Sequence, residues 1–428
     1  VRARRVLIIA TTTGYQTRAF GEAAERLGVQ LVFATDRCHV LDDPWLDSAI
    51  PVRFHDIHGS VGRVLEAASE RPFDGVTAVG DRPALLASHV QQALGLPGHP
   101  AEAAAIGRNK VLLRERLRGA GLRVPDFVVA PLTADPAPLA RQIGFPAVLK
   151  PLALSASRGV MRVDEAAGLG AALGRLRLLL MRPEIRAERE PANDQVLLEA
   201  FIPGHEYAVE ALMSGGRLRI LAVFDKPDPL DGPFFEETIY VTPPPIDAGL
   251  SSAISSAVSA AAAAIGLWHG PVHAECRVST EGVYVLEAAA RPIGGLCARS
   301  LRFNRPGSNE VIGLEELLLR HCVGDSISEW VREAAASGVM MIPIPRRGTY
   351  RHVGGVDAAL STEHVWGVEI TAKADQLLVP LPEGASYLGF IFARAADSGA
   401  VGRALRLAHS RLAFTIEPEL PVVQSRNG

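Results

Sequence analysis

Short apolar runs alternate with amphipathic stretches from the start of the chain. Between Arg4 and Asp36, RRVLIIA, a TTTG loop, a helical stretch through Leu27 and VQLVFATD read as strand, loop, helix and strand. That order predicts an α/β opening with a parallel sheet. GVTAV (Gly75 to Val79) adds a strand. The helix after it takes Asp81 as N-cap and Pro83 in its first turn. LGLPGHP closes this first module near Pro100.

A helix is predicted from about Arg108 to Ala120, closed by Gly121, and the strand DFVVA follows. FPAVLKP is another strand, and the loop LALSASRG leads into VMRV. A helix and a charged, Pro-containing loop (Arg182 to Asp194) precede the strand QVLLEAF. EYAVEALMSGGRLRILAVFD reads as a hairpin around Gly215-Gly216. An Ala-rich helix then leads to HAECRVSTEGVYVLEAAAR, two strands joined by a turn. After about His321, short strands (GVMMIPIP, EITAK, YLGFIFAR) alternate with turns, and a helix from Ser398 to Leu407 precedes LAFTIEP. The expected division is 1–100, an α/β module; 101–320, a central domain; and 321–428, a smaller α+β domain.

Composition narrows the class. A chain of 428 residues is too long for one ordinary core. Its 48% hydrophobic content excludes a disordered chain. A net charge of −3 offers no global field for nucleic acid. Cys38, Cys276, Cys297 and Cys322 are scattered without a CxxC pair, which fits a reducing cytoplasm. Val6 to Ala10 is too short for a signal peptide. The Ser/Ala run from Ser251 to Leu267 is too polar for a membrane span and reads as a packed helix. The expectation is a cytoplasmic protein with no nucleic-acid or membrane partner.

Glu275 and Glu287 carry the most chemistry. A three-residue loop Thr280-Glu281-Gly282, with Gly282 at positive φ, sets Ser279 opposite Val283 and Glu275 opposite Glu287. Carboxylates facing each other across a ladder repel. A divalent cation between them reverses the sign, and hard oxygen ligands favour Mg²⁺. A solvated glutamate pair is the alternative, and a one-residue change in the loop destroys the facing geometry.

Lys150 precedes Pro151, which holds it in extended backbone. In the loop that follows, Ser155-Ala156-Ser157-Arg158-Gly159, small residues let N–H groups approach phosphate oxygens, and the Ser155 and Ser157 hydroxyls add donors. From the residues alone, a hairpin turn with a surface lysine reads at least as well, and no Walker sequence is present. Lys110, ahead of the stripe Val111, Leu112 and Leu117, reads alone as solvated. LLEAFIPGHE offers backbone groups to an adenine and the Glu206 carboxylate to a ribose, or is a plain β-turn.

The ordered series NK (Asn109-Lys110), FPAVLKP with SASRGV, LLEAFIPGHEYAVE and HAE…LEAAARPIGG resembles the ATP-grasp superfamily from about Gly107 to Gly295. Within it, GPVHAE and EAAARPIGG are most similar to amino-acid ligases of the dipeptide-forming type. The resemblance implies an ATP-grasp fold with an N-terminal Rossmann-like module, a lid at about 124–200 and a C-terminal α+β domain. It also implies ATP and Mg²⁺ as cofactors, with Mn²⁺ as a substitute metal. By it, Lys110 and Lys150 grip the α- and β-phosphates, and Ser155 to Gly159 close over them. Glu199, Ala200 and Ile202 form the hinge whose backbone reads adenine, and Glu206 binds ribose. Glu275 and Glu287 hold the metal, and Arg291 steadies the transferring phosphoryl group. Many members carry Asn where this chain has Ala289, and glycines where it has Ser155 and Ala156.

The implied reaction joins a carboxylate to an amine through an acyl-phosphate, releasing ADP and phosphate, in an enzyme type that is often a homodimer. His273 is a candidate base, a substrate contact or an orienter of Glu275. Lys226 and Glu237, flanking DKPDPLDGPFFEE, and Gly294 and Gly295 are candidate substrate contacts, and Arg277 offsets acidic charge. Alternatives are a bicarbonate-using carboxylase or purine-pathway ligase, a nicotinamide-dependent dehydrogenase, and a non-catalytic nucleotide sensor. Thr11-Thr12-Thr13-Gly14 is not the G-x-G-x-x-G of a dehydrogenase.

Overall fold

The computed structural model of the protein describes residues 3–11, 15–36 and 49–419. Most of the TTTG loop and Cys38 lie outside them. The opening module has the expected parallel sheet, in the order Ala49–Pro51, Gln30–Thr35, Arg5–Ala10 and Gly75–Val79. The helix Asp81–Leu94 leaves the end of the last strand. Its N-cap is Gly80, not Asp81, whose carboxylate is held by Arg291 instead. In parallel sheets, ligands sit beyond the carboxyl ends of the strands, which is where Asp81 stands.

The core is an eight-stranded sheet. Its order is Gly282–Ala289, Gly270–Ser279, His205–Ser214, Arg217–Asp225, Ile239–Thr242, Ala336–Ile342, Gly389–Ala395 and Val365–Ile370. The last three strands come from the region expected to form a separate domain. They extend the central sheet because Ile239–Thr242 offers its free edge to the wholly buried strand Ala336–Ile342, pairing Tyr240 with Val339. The helix Leu314–Cys322 runs across the expected boundary at 321. Only Leu377–Leu378, Gly348–Gly354 and Ala413–Glu417 make a smaller sheet of their own in this region.

His205–Ser214 is buried on both faces. Its odd positions, Tyr207, Val209, Ala211 and Met213, join a cluster with the helix Ala248–Ile265. That helix is long and apolar enough to cross a membrane, but Ile254, Val258, Ala261, Ala262 and Ile265 pack in this cluster. The even positions Ala208 and Leu212 belong to the opposite cluster, and Glu206 and Glu210 share their face. That face becomes the floor of the cleft.

A four-stranded antiparallel lid has the order Phe127–Pro131, Gln195–Ala200, Ala147–Pro151 and Met161–Val163. The helix expected over Arg108 to Ala120 is Lys110–Gly119, and a separate helix, Ala101–Arg108, precedes it. Asn109 breaks them: it is extended (φ −103°, ψ 113°), and its side chain accepts from the N–H groups of Val111 and Leu112. Lys110 thereby sits at the first position of a capped helix.

Three histidines meet where the first module joins the core. His269 stacks on His321 with ring centroids 4.1 Å apart. The His99 ring bonds the Pro271 carbonyl and the Trp268 N–H. Burial lowers His99 and His321, each to about 4, and lowers His269. Folded, these groups take up protons at lower pH than when unfolded, so stability is complete above pH 6.5 and falls as pH drops towards 4. Between pH 7 and pH 5, His99 and His321 each remove about 2 kcal/mol. Urea midpoints should fall over that interval, and His321→Asn should flatten the slope; an unchanged slope would refute this.

Candidate active site

The three parts of the fold enclose one cleft of about 340 Å³. The lid supplies Lys150 and Ser155 to Ser157, and the first module supplies Gly80 and Asp81. The central strands supply Glu206, His273, Glu275, Arg277 and Glu287, and the C-terminal region supplies Met341 and Tyr387.

Glu275 does stand opposite Glu287, but not by the expected route. The turn has two residues, Thr280 and Glu281: Gly282, at φ +128°, pairs with Ser279, and Val283 faces Val278. The register is therefore one residue off from the expected one as far as Cys276 and Val285. A bulge leaves Leu286 unpaired and restores the facing glutamates. Both carboxylates line the cleft.

On the neighbouring strand pair, Glu210 lies across from His273, Ala208 from Glu275, and Glu206 from Arg277. Opposite charges thus face each other directly along the ladder. The Arg277 Nε donates to Glu206 Oε2 (3.1 Å), and its other nitrogens bond the carbonyls of Ile202 and Leu230. His273 meets Glu210 through Nδ1 (3.2 Å) and faces Glu275 through Nε2 (3.7 Å). Burial opposes its charge, yet the two glutamates raise it to about 9. Glu210 is fully buried; burial raises it, while it accepts from His273 and the Ile293 N–H.

Glu206, Glu237 and Glu275 bring oxygens within 4.8 Å of one another, a spacing a metal could use. The Lys226 ammonium occupies that triangle, 2.8 Å from Glu206 and 3.1 Å from Glu275, and also bonds Glu237. Burial opposes the Lys226 charge, but the three carboxylates hold it well above the usual lysine range. Burial raises Glu237 to about 7, and Tyr240 donates to it (2.7 Å).

Arg291 lies between Asp81 (Nε to Oδ1, 2.6 Å) and Glu287 (Nη2 to Oε1, 3.1 Å). Burial opposes its charge, and Asp81 and Glu287 raise it further. In the lid, burial alone would raise Glu199, but Arg114 and Lys150 bring it down to about 2. Arg114 donates twice to Glu199 (3.0 and 3.3 Å) and through Nη1 to the Leu286 carbonyl (2.8 Å). Lys110 donates to the Leu154 carbonyl (2.7 Å); burial lowers its pKa, Glu287 opposes that, and Lys150 adds to it.

An ATP-grasp domain matches residues 143–300, and an ATP-grasp N-terminal domain matches 21–98. An L-amino acid ligase C-terminal domain 2 matches 340–417. The crystal structure of an L-amino acid ligase from Bacillus licheniformis superposes with a TM-score of 0.82 at 26% identity, covering 97% of this chain and all of that one. The chain belongs to the ATP-grasp superfamily. An uncharacterized protein of Sinorhizobium fredii is 24% identical over 97% of this chain and 84% of its own length. A D-alanine–D-alanine ligase of Alcanivorax borkumensis is 34% identical over 110 residues, 26% of this chain and 30% of that enzyme.

Within this ATP-grasp fold most expected site residues line the cleft: Lys110, Lys150, Ser155, Ser157, Glu199, Ala200, Ile202, Glu206, Glu237, His273, Glu275, Glu287, Arg291, Gly294 and Gly295. Arg158 and Gly159 do not. The Arg158 Nε donates to the Glu383 carbonyl and the Gly159 N–H to that of Pro382, which turns both away from the cleft. Glu199 is taken up by Arg114 and Lys150 rather than standing at a nucleotide base. Glu206 has both oxygens engaged, by Lys226 and Arg277. Arg277 pairs with Glu206, not with Glu275 or Glu287. The Ala200 N–H is spent on Asp126, whereas the Ile202 N–H has no partner among the described residues. Lys226, expected as a substrate contact, is buried in the acidic triangle and does not line the cleft. Ala289 faces His273 across the ladder.

Arg114, Glu210, Tyr240 and Asp81 were missed as site residues. Arg114 falls on the apolar stripe between Val111 and Leu117, and Glu210 interrupts a run of apolar strand residues; both patterns signal a buried charge. Arg114→Met leaves Glu199 short of its main partner in the interior and should cost roughly 3 kcal/mol. A urea midpoint equal to wild type would contradict this.

Proposed function

We propose that this ATP-grasp ligase joins the carboxylate of an amino acid to the amine of a second substrate. The carboxylate oxygen attacks the γ-phosphorus of ATP, and ADP leaves. The amine nitrogen then attacks the acyl carbon, the C–O bond to the phosphoryl group breaks, and phosphate leaves with that oxygen while the amine's proton passes to phosphate or solvent. What carries the reading is the meeting of Lys110, Lys150, Arg291, Glu275 and Glu287 around one cleft in a chain that also has an L-amino acid ligase C-terminal domain.

The barrier is electrostatic, because anions must approach one another and charge must disperse. Lys110 and Lys150, which both line the cleft, would grip the α- and β-phosphates. Arg291, held between Asp81 and Glu287, keeps a guanidinium beside the transferring group. The free Ile202 N–H is the donor suited to adenine. Glu206 meets ribose only through acceptor capacity left over from Lys226 and Arg277. His273 has a carboxylate at each nitrogen, which suits orienting Glu275 better than accepting a proton from substrate. Glu237, Gly294, Gly295, Met341 and Tyr387 also line the cleft and would contact the amino-acid substrates.

Mg²⁺ fits Glu275 and Glu287. Both are hard oxygen donors on one face, and among the described residues their hydrogen bonds and ion pairs fall on Oε1. Held by Glu275 and Glu287, the ion would supply positive charge to offset that of the phosphates. Mn²⁺ suits the same donors. Lys226 already fills the Glu206–Glu237–Glu275 triangle, so no second ion is assigned there. The setting is a cytoplasmic enzyme acting on small molecules.

The direct test is ADP release from Mg²⁺-ATP across a matrix of amino-acid pairs, with mass spectrometry of the products. Amide formation in no pair would sink the proposal. In an active pair, Glu287→Gln and Arg291→Ala should each lower turnover by about 10²-fold or more. Undiminished turnover in either variant removes that residue from its role.

A further inference from the structure

The loop after Lys150 does not rest on the nucleotide side alone. Ala156 and Ser157 sit at φ +56° and +53°, a region unfavourable to residues with a Cβ. A loop in that conformation needs outside support. The support comes from Pro382 and Glu383, more than two hundred residues away in the C-terminal region. The Gly159 N–H donates to the Pro382 carbonyl (2.8 Å), and the Arg158 Nε to the Glu383 carbonyl (3.0 Å). The Glu383 carboxylate takes a two-pronged bond from Arg175 on the lid helix Leu169–Leu180, the second prong at 2.9 Å. Arg175 also lies over the Phe234 ring at 4.9 Å. Four residues beyond Glu383, Tyr387 lines the cleft.

We propose that Glu383 is a positioning residue: it latches the lid to the C-terminal region and keeps the Ser155–Gly159 loop shut while the acyl-phosphate exists. The proposal rests on the ligase reading above. Its chemistry is exclusion of water, since an acyl-phosphate reached by water gives back the acid and phosphate, with ATP spent and no amide formed. A two-pronged Arg–carboxylate pair has the geometry for a defined closed state. Arg175 and Glu383 are partly exposed, at 45% and 20%, so the pair is weak enough to open at every turnover. The strand of chain from Glu383 to Tyr387 ties the latch to the wall on the substrate side. Closure is thus set by the C-terminal region, not by the phosphates alone.

The test compares wild type, Glu383→Gln, and the reversed pair Arg175→Glu with Glu383→Arg. None of these residues touches the cleft. With an active pair, wild type should release about one ADP per amide formed. Glu383→Gln should raise that ratio severalfold as ATP is hydrolysed without amide, and the reversed pair should bring it back towards wild type. An unchanged ratio in Glu383→Gln overturns the latch. A raised ratio that the reversed pair fails to lower assigns the effect to misfolding and also overturns it. Trypsin cleavage after Arg158 gives a readout independent of the reaction. Mg²⁺-ATP should protect wild type there and protect Glu383→Gln severalfold less; equal protection counts against the latch. If wild type forms no amide from any pair, the ligase reading fails, and the trypsin comparison still decides whether Glu383 holds the loop.

Discussion

Every buried carboxylate at this cleft has a cation of the chain's own. Glu206 has Lys226 and Arg277, Glu210 has His273, Glu275 has Lys226, Glu199 has Arg114 and Lys150, and Asp81 and Glu287 share Arg291. A buried ion without a partner costs several kcal/mol, so the acidic groups could not be gathered here otherwise. Much of the pairing is a consequence of strand register. Where Glu206 and Arg277 or Glu210 and His273 are cross-strand partners, the ladder brings opposite charges together without a loop having to do it. The site is therefore charged but balanced before any nucleotide arrives, and its groups are held by sheet rather than by ligand.

Arg114 links the four-stranded sheet to the central sheet. It reaches Glu199 on the lid and the Leu286 carbonyl on the strand that carries Glu287. Leu286 is the bulged residue whose missing partner restores the facing of Glu275 and Glu287. Lys110 lies four residues before Arg114 on the same helix, and Lys150 meets Glu199 beside it. One buried guanidinium thus fixes the relative positions of both cleft lysines and one of the facing glutamates. The consequence is a four-stranded sheet tied to the core by a buried charged contact.

The local signals in the sequence were sufficient where one element decides the outcome. The strands of the opening sheet, the Gly215-Gly216 hairpin and the two facing glutamates are found in the structure. The glutamate pairing was reached through a wrong turn length that the Leu286 bulge cancels, and no residue pattern in that strand marks a bulge in advance. Asp81 has the composition of an N-cap, and only the distant Arg291 explains why its carboxylate turns elsewhere. The expected boundary near 321 falls inside the helix Leu314–Cys322. Short strands after a helix look like a new domain, but the free edge of Ile239–Thr242 draws Ala336–Ile342 into the central sheet. Lys226 and Glu206 were legible as charges, but their partners come from two separate strands and the loop that holds Lys226 and Glu237. What the sequence hides is long-range pairing, because the energy that settles it belongs to residues far apart in the chain.

The two walls of the cleft differ in origin, and that difference bears on substrate choice. The side with Lys110, Lys150, Glu199 and Ile202 is built by the lid and by helices packed on it, within or next to the matched ATP-grasp domain. The other side mixes Gly80 and Asp81 from the first module with Met341 and Tyr387 from the C-terminal region. A nucleotide needs the same contacts in any ATP-dependent ligase, so the first wall has little freedom to change. Residues on the second wall can change without disturbing the charge pairs of the first, and fold alone does not dictate them. Arg291 is the exception: in the proposed ligase reaction it steadies the phosphoryl group, yet it is held by Asp81 from the first module. On that reading, the Asp81 bond makes the placement of the phosphoryl group depend on how the first module docks, and the N-terminal region takes part in the proposed chemistry.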